Sequence, residues 1–286
     1  MKIILHIGLH KTGSTYLQTL FQQTARLFRP RGIFYQANSH HSIAWAVLRG
    51  DFAPLQQVIR EARTACCETV VISAEDFENL LLDTAAARAL EASLFEIGVT
   101  EIDWVICIRS QDEYFWSLYS QMSRHVYLDP FSMFYQVMLN GCLRVPTAQP
   151  EAGLAYWIFC FDYARFIPIF AEAIRGRLLI DDFAQRSPFP LYKLFEFLGI
   201  ADTLSPEILA VSRNERLPKR DIATGYETQF VQALSERGRG EFAGTISARA
   251  QVDPHLQTLM STQIAERYCS SNDRVLKQFP FQIPLA

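Results

Sequence analysis

The chain has 286 residues, of which 49% are hydrophobic and 20% are charged, and its formal net charge is −3. This length suffices for one large α/β domain or two small ones with a substantial buried core. The charge excludes the basic surplus of a general nucleic-acid binder, so we expect no nucleic-acid partner. No apolar run reaches the roughly 18 residues of a membrane-spanning helix, so we also predict no membrane span.

The N-terminus and the cysteines bear on cellular location. The first apolar strand runs directly into a glycine-containing loop, without the cleavage-like segment of a signal peptide. The six cysteines form no C-x-x-C pair and have no ligand-like spacing with histidines. These features predict free thiols, a cytoplasmic location and no metal site.

Apolar strands alternate with helical patterns along the chain. We predict strands at 2–7, 33–35, 69–75, 102–109 and 177–183. We predict helices at 14–27, 84–97 and 114–124, another from 187 to just before 199, and a final one from 253. Ser110 and Glu113 have the spacing of a capping box before the third of these helices. Strands separated by helices indicate an α/β fold with a parallel sheet flanked by helices and right-handed crossovers. We expect 1–286 to form one domain, with 200–252 as a mobile insert or lid.

The loop after the first strand, GLHKTGST, has the features of a phosphate-binding loop. Gly8 and Gly13 keep the spacing of G-x-x-x-x-G-K-[ST], but Ser14 occupies the lysine position and Lys11 stands two residues before the second glycine. Backbone N–H groups at the positive end of the next helix, two hydroxyls and a lysine can together hold an anion, most simply a phosphate. A tight strand–helix turn without a ligand is the alternative.

A second motif follows the fourth predicted strand. Arg109 ends that strand, at the edge where ligands of open α/β sheets collect, and Ser117 lies eight positions later in the next helix. The guanidinium fork of an arginine can hold two phosphate oxygens. The alternative is a surface pair between Arg109 and a carboxylate such as Asp112, with Ser117 as an ordinary helical serine.

Together the two motifs resemble those of sulfotransferases that use 3′-phosphoadenosine 5′-phosphosulfate (PAPS) as donor. HIGLHKTGSTYLQ is similar to the family's 5′-phosphosulfate loop, and ICIRSQDEYFWSLYSQ to its 3′-phosphate motif. The resemblance is closest to bacterial-type members and is weak in the C-terminal third. It implies a P-loop-containing, sulfotransferase-like fold that binds PAPS without a metal. The donor-binding residues would be His10, Lys11, Thr12, Gly13, Ser14, Thr15, Arg109, Ser117 and, within the basic segment 213–220, Asn214.

The resemblance also suggests catalytic roles. Lys11 would stabilise the negative charge that grows on the leaving oxygen. Glu75 comes just after a strand that ends at the same edge of the sheet, and it is the expected general base. The alternative is that Glu75 is a structural carboxylate. His10 and His41 are the other candidate bases. His40 and His41 would line the acceptor pocket or form a polar turn.

The expected activity is therefore transfer of a sulfuryl group to a hydroxyl or amine. The partner would be a small-molecule, carbohydrate or lipid acceptor. A P-loop kinase or another nucleoside-triphosphate enzyme is one alternative. It would want a lysine after Gly13 and an acidic Mg²⁺ ligand at a strand end, where Asp181 and Asp182 are the tempting pair. A sulfotransferase-like nucleotide-binding protein without catalytic activity is the other.

Overall fold

The computed structural model of the chain describes residues 1–36, 40–122, 129–147, 152–185, 188–209 and 254–283. Its centre is a parallel sheet of five strands, flanked by helices as the sequence predicts. The remaining two strands form a separate antiparallel hairpin. The strands are β1 (Lys2–Ile7), β2 (Ile33–Tyr35), β3 (Thr69–Ala74), β4 (Glu101–Ile108), β5 (Cys142–Pro146), β6 (Tyr156–Cys160) and β7 (Arg177–Asp182).

The helices surround the sheet and the hairpin. They are α1 (Ser14–Phe28), α2 (His41–Leu48), α3 (Ala53–Thr64), α4 (Thr84–Glu96), α5 (Gln111–Met122), α6 (Pro130–Asn140), α7 (Tyr163–Ala173), α8 (Tyr192–Phe197), α9 (Pro206–Leu209), α10 (Pro254–Tyr268) and α11 (Ser271–Gln278). Short 3₁₀ helices span Arg29–Arg31, Glu75–Leu81 and Ala201–Thr203. Within the described ranges, no helix is both long and apolar enough to cross a membrane.

The order of the parallel strands is β2-β3-β1-β4-β7, which places β1 at the centre of the sheet. Alternate residues of β1 face opposite sides, because side chains alternate along a strand. Ile3, Leu5 and Ile7 pack into a core shared with α2, α3, α4 and α7, while Ile4 packs into one shared with α1 and α8. A strand buried on both faces reads as a continuous apolar run, as the sequence of β1 does.

A third apolar cluster joins α5, α6 and α10 to the hairpin. The sequence did not predict this hairpin, because its strands are short and buried apolar residues such as Leu143 and Phe159 alternate with exposed or half-buried ones along most of their length. Gly141 ends α6 with a φ of +71° and starts the turn into β5. The hairpin therefore adds an antiparallel unit beside the parallel sheet.

Several predicted boundaries are wrong. The helix predicted from 187 begins only at Tyr192, because Leu191 adopts a left-handed conformation with a φ of +65°. The predicted final helix is two helices, α10 and α11. Strand β3 ends at Ala74, so Glu75 opens a 3₁₀ helix rather than closing the strand. Of the predicted insert, residues 210–252 lie outside the described residues.

Candidate functional site

The loop between β1 and α1 lies where the central strand ends. The Gly8 amide donates to the Ala74 carbonyl of β3 at 3.2 Å, which ties the start of the loop to the neighbouring strand. A Cβ on Gly8 would lie 2.5 Å from the Ser14 hydroxyl oxygen, so only glycine fits there. Gly13 has a φ of +90°, and the Thr12 hydroxyl donates to the Leu9 carbonyl at 2.5 Å. The turn is thus fixed by its own residues.

The same turn presents hydrogen-bond donors that have no acceptor within the described part of the chain. They include the backbone N–H groups of Thr12, Gly13, Ser14 and Thr15. The Ser14 hydroxyl is 3% exposed and makes no hydrogen bond to any described residue. The exposed Lys11 has a φ of +62° and carries its positive charge on the same turn. Because the N-terminus of α1 adds the positive end of a helix dipole, this arrangement suits an anion.

Arg109 connects the loop to the second motif. It follows β4, is only 8% exposed, and donates from Nη1 to the Lys11 carbonyl at 2.8 Å. Its Nε and Nη2 donate to one carboxylate oxygen of Glu113 at 3.1 and 2.8 Å, and its guanidinium lies over the Phe183 ring. The carboxylate partner is therefore Glu113 rather than Asp112. These three bonds use three of the five N–H groups, so Arg109 retains donors for a phosphate.

The other predicted donor ligands are less closely placed. Ser117 lies on α5, is 8% exposed, and makes no hydrogen bond to the loop. Thr15 is exposed on the first turn of α1. Asn214 and the basic segment 213–220 lie outside the described residues.

Glu75, Asp76 and His41 form a cluster beside the loop. Glu75 is 8% exposed, and its Cγ lies 3.3 Å from where a Cβ on Gly8 would be. Nδ1 of His41 lies 2.5 Å from an Asp76 carboxylate oxygen, and its Nε2 lies 3.6 Å from Glu75 Oε2. The hydrogen bond with Asp76, aided by the charge of Glu75, raises the pKa of His41 despite partial burial. Two carboxylates and a protonatable ring thus meet at the edge that holds the loop between β1 and α1.

Glu78 forms a second, more deeply buried cluster, which joins the loop to the hairpin. Its carboxylate is 1% exposed and accepts hydrogen bonds from the backbone N–H of Cys160 (2.6 Å) and of His10 (3.2 Å), and from the Tyr114 hydroxyl (2.9 Å). It also lies 3.0 Å from Nδ1 of His10. Burial acts to lower the pKa of His10, but the hydrogen bond and charge of Glu78 outweigh it and raise the pKa. The contact with Glu78 therefore favours the protonated form of His10 beside the loop.

Two other histidines at this edge are structural. His40 is 3% exposed, and its Nδ1 accepts from the Ser73 amide at 2.9 Å while its Nε2 donates to the Gln36 carbonyl at 3.0 Å. Burial lowers its pKa to about 4, so the ring stays neutral. His6 is fully buried in β1, with a pKa lowered by burial to about 3. His40 therefore supports the turn rather than lining a pocket.

The two acids that end β7, Asp181 and Asp182, have partners within the protein. The Asp181 carboxylate is 1% exposed and lies 2.9 Å from the Lys193 ammonium. Burial raises the pKa of Asp181 in spite of that partner. Asp182 accepts a hydrogen bond from the Ala184 amide at 2.9 Å. Both residues thus have structural partners at the edge where a kinase would hold Mg²⁺.

Sequence reasoning missed Glu78, Tyr114 and Gln18 as parts of the site. Gln18 donates to Glu75 Oε2 at 3.0 Å, which orients that carboxylate. The sequence feature that could have identified Glu78 is the spacing of the acids in SAEDFEN, because a 3₁₀ turn brings positions 75 and 78 to the same side. The helical period of α1 likewise places Gln18 one turn after Ser14.

Comparisons of the chain with models of protein families, with curated proteins and with solved structures gave no match.

Proposed function

We propose that the protein is a PAPS-dependent sulfotransferase with a P-loop-like donor site. The observation that carries the proposal is the 2.8 Å hydrogen bond from Arg109 to the Lys11 carbonyl. It places the two motifs that resemble the donor-binding motifs of sulfotransferases against each other at one sheet edge. The buried Ser14 hydroxyl, which bonds to no described residue, and four amides without described acceptors give that edge the donors a phosphate needs.

In this proposal, the loop holds the 5′-phosphate and Arg109 faces the 3′-phosphate of the donor. Lys11 and His10 place positive charge near the oxygen between phosphorus and sulfur. As the sulfur–oxygen bond to the donor breaks, negative charge grows on that oxygen, and fixed positive groups stabilise it. The transferred group carries less charge than the phosphates of ATP, so the reaction requires no metal.

The base in this proposal is Glu75. The acceptor hydroxyl or amine loses a proton as its bond to sulfur forms, and a nearby carboxylate can take that proton. The raised pKa of His41 favours its protonated form, which has no free nitrogen lone pair to act as a base. Gln18 orients the Glu75 carboxylate from the side of α1.

The first test is binding of the desulfated product, adenosine 3′,5′-bisphosphate, to the purified full chain with and without Mg²⁺. We expect tight binding that does not need Mg²⁺ and that exceeds the binding of 5′-AMP. Tighter binding of ATP, dependent on Mg²⁺, would instead favour a kinase-type enzyme.

The second test is turnover with sulfur-labelled PAPS and a panel of phenol, sugar and lipid acceptors. Transfer of label supports the enzyme assignment, with Lys11→Ala as the inactive reference. Arg31→Ala is a charge-matched control, because Arg31 forms an exposed ion pair with Asp202 on the 3₁₀ segment before α9. Label transferred to water, as released sulfate, also counts as turnover. Product binding without transfer to any acceptor, water included, would indicate a nucleotide-binding protein without catalysis.

A further inference from the structure

Cys142 and Cys160 lie directly opposite each other in the hairpin of β5 and β6. Opposed residues of an antiparallel pair alternate between hydrogen-bonded and non-hydrogen-bonded positions. The next opposed pair is hydrogen-bonded, because the Phe161 amide donates to the Gly141 carbonyl at 2.9 Å. The two cysteines therefore occupy a non-hydrogen-bonded position.

The outward hydrogen bonds of β6 support this assignment. At a non-hydrogen-bonded position, the backbone N–H points away from the partner strand. The Cys160 amide indeed donates to Glu78 at 2.6 Å, and the Ile158 amide, two residues earlier, donates to Asn79 at 2.9 Å. Both acceptors belong to the 3₁₀ helix after β3, on the side of β6 away from β5.

This position brings the two thiols close together. Opposed side chains of an antiparallel pair lie on the same face, and at a non-hydrogen-bonded position the Cα atoms are about 4.5 Å apart. That separation lies within the range that a disulfide spans. Both cysteines are free thiols, with Cys142 half-buried and Cys160 buried. Burial raises the pKa of both thiols. For Cys160, the nearby negative charges of Glu78, Cys142 and Asp162 raise the pKa further.

We propose that Cys142 and Cys160 are a redox modification site that forms a reversible intramolecular disulfide by exchange with a small-molecule disulfide of the glutathione type. The proposal stands on the register of the hairpin, which places the two cysteines directly opposite each other at a non-hydrogen-bonded position. It does not depend on the proposed sulfotransferase activity.

The exchange balances in two steps. The Cys142 thiolate, the more accessible of the two, attacks one sulfur of oxidised glutathione, forms a mixed disulfide and expels one glutathione thiolate. The Cys160 thiolate then attacks the Cys142 sulfur and expels the second glutathione. Two electrons pass from the cysteines to glutathione, and the two cysteine protons end on the two released thiols.

A disulfide between these cysteines also affects the loop between β1 and α1. A disulfide needs Cβ atoms about 3.8 Å apart, whereas opposed residues at a non-hydrogen-bonded position usually hold them nearer to about 4.5 Å apart. Closing that difference moves Cys160, whose amide holds one oxygen of Glu78 at 2.6 Å, while the other oxygen holds His10. The redox state of the hairpin therefore changes the environment of His10.

To test this, the folded full chain is equilibrated at mildly alkaline pH in glutathione buffers that contain an increasing fraction of oxidised glutathione. After an acid quench, free thiols are alkylated and the peptides are mapped by mass spectrometry. We expect the alkylated forms of Cys142 and Cys160 to disappear together, with a linked peptide that dithiothreitol cleaves. Cys269→Ser removes an exposed thiol and should leave this link unchanged.

Single variants separate the two steps. Cys160→Ser should stop at the mixed disulfide and leave glutathione on Cys142, whereas Cys142→Ser should leave Cys160 as a thiol. Two results would overturn the proposal: both cysteines remaining thiols while Cys269 carries glutathione, or Cys160 linked to a cysteine other than Cys142. The coupling is read from the ring NMR signals of His10, which should shift on oxidation in the wild type and not in Cys142→Ser. An unchanged signal in the oxidised wild type would overturn the coupling.

Discussion

The buried carboxylate of Glu78 offers the sharpest test of how the loop is held. Glu78→Gln keeps the size of the side chain but replaces one carboxylate oxygen with an amide nitrogen. One oxygen accepts from the Cys160 amide and the other from the His10 amide, so either orientation of the glutamine sets an NH₂ group against a backbone N–H. The Tyr114 hydroxyl can rotate and adapt, but a backbone N–H cannot.

The expected loss of stability follows from these contacts. One buried N–H without an acceptor costs about 1 to 3 kcal/mol, and loss of a hydrogen bond to a charged group costs about 1.5 to 3 kcal/mol. The free energy of unfolding should therefore fall by roughly 2.5 to 6 kcal/mol, measured by urea denaturation. The pKa of His10 should also fall below its ordinary value, because burial remains when the raising effect of Glu78 is lost.

Glu75→Gln is the matched control for this experiment. Glu75 contributes to the raised pKa of His10 only through its charge, which is the smallest of the named causes. Its substitution should change both the unfolding free energy and the His10 pKa much less than Glu78→Gln does. Equal effects of the two substitutions, or a His10 pKa that stays raised without Glu78, would refute the assignment of Glu78 as the residue that holds the loop.

Four further predictions concern the site. Lys11→Ala should lower turnover about a hundredfold or more while product binding changes little, because the proposed role of the lysine is to stabilise charge that grows in the transition state; unchanged turnover would contradict this role. Arg109→Ala should reduce the preference for adenosine 3′,5′-bisphosphate over 5′-AMP by roughly 1.5 to 3 kcal/mol in a binding titration, and an undiminished preference would exclude Arg109 as the 3′-phosphate ligand. Glu75→Gln should lower turnover about a hundredfold with product binding intact; if it stays active and His41→Ala does not, the base is the histidine. Burial lowers the pKa of His40 to about 4. The neutral ring therefore contributes stability that is fully present above the ordinary histidine pKa of 6.5 and is lost as the pH falls toward 4. That loss is about 3 kcal/mol, and urea unfolding across this range should show a shallower pH dependence for His40→Gln.

The parallel sheet was predictable because its strands are buried on both faces. Such strands read as short apolar runs, and the residues after them, Gly8, Glu75 and Arg109, fall at one edge once the strands are parallel. The sequence therefore predicted that the loop and Arg109 share an edge. It could not predict the direct bond between Arg109 and the Lys11 carbonyl, since that depends on a left-handed residue inside the loop.

The hairpin and the role of Glu78 were beyond sequence reasoning for a different physical reason. A buried acid looks like any other acid until its donors are known, and those of Glu78 come from three separate segments of the chain. The alternative interpretation of Arg109 named Asp112 as a possible carboxylate partner, whereas α5 presents Glu113 to it. Side-chain partners across distant segments are set by packing, which no local pattern records.

The central place of β1 imposes an order on folding during synthesis. This strand leaves the ribosome before the other strands of the sheet, and its neighbours lie at 69–74 and 101–108, so it has no partner until β3 has followed. Until then an apolar strand with two open edges is exposed to wrong pairing. A nascent chain that stops before β4 is complete thus contains every residue of the loop between β1 and α1 but lacks β4 and β7, the two strands on one side of β1.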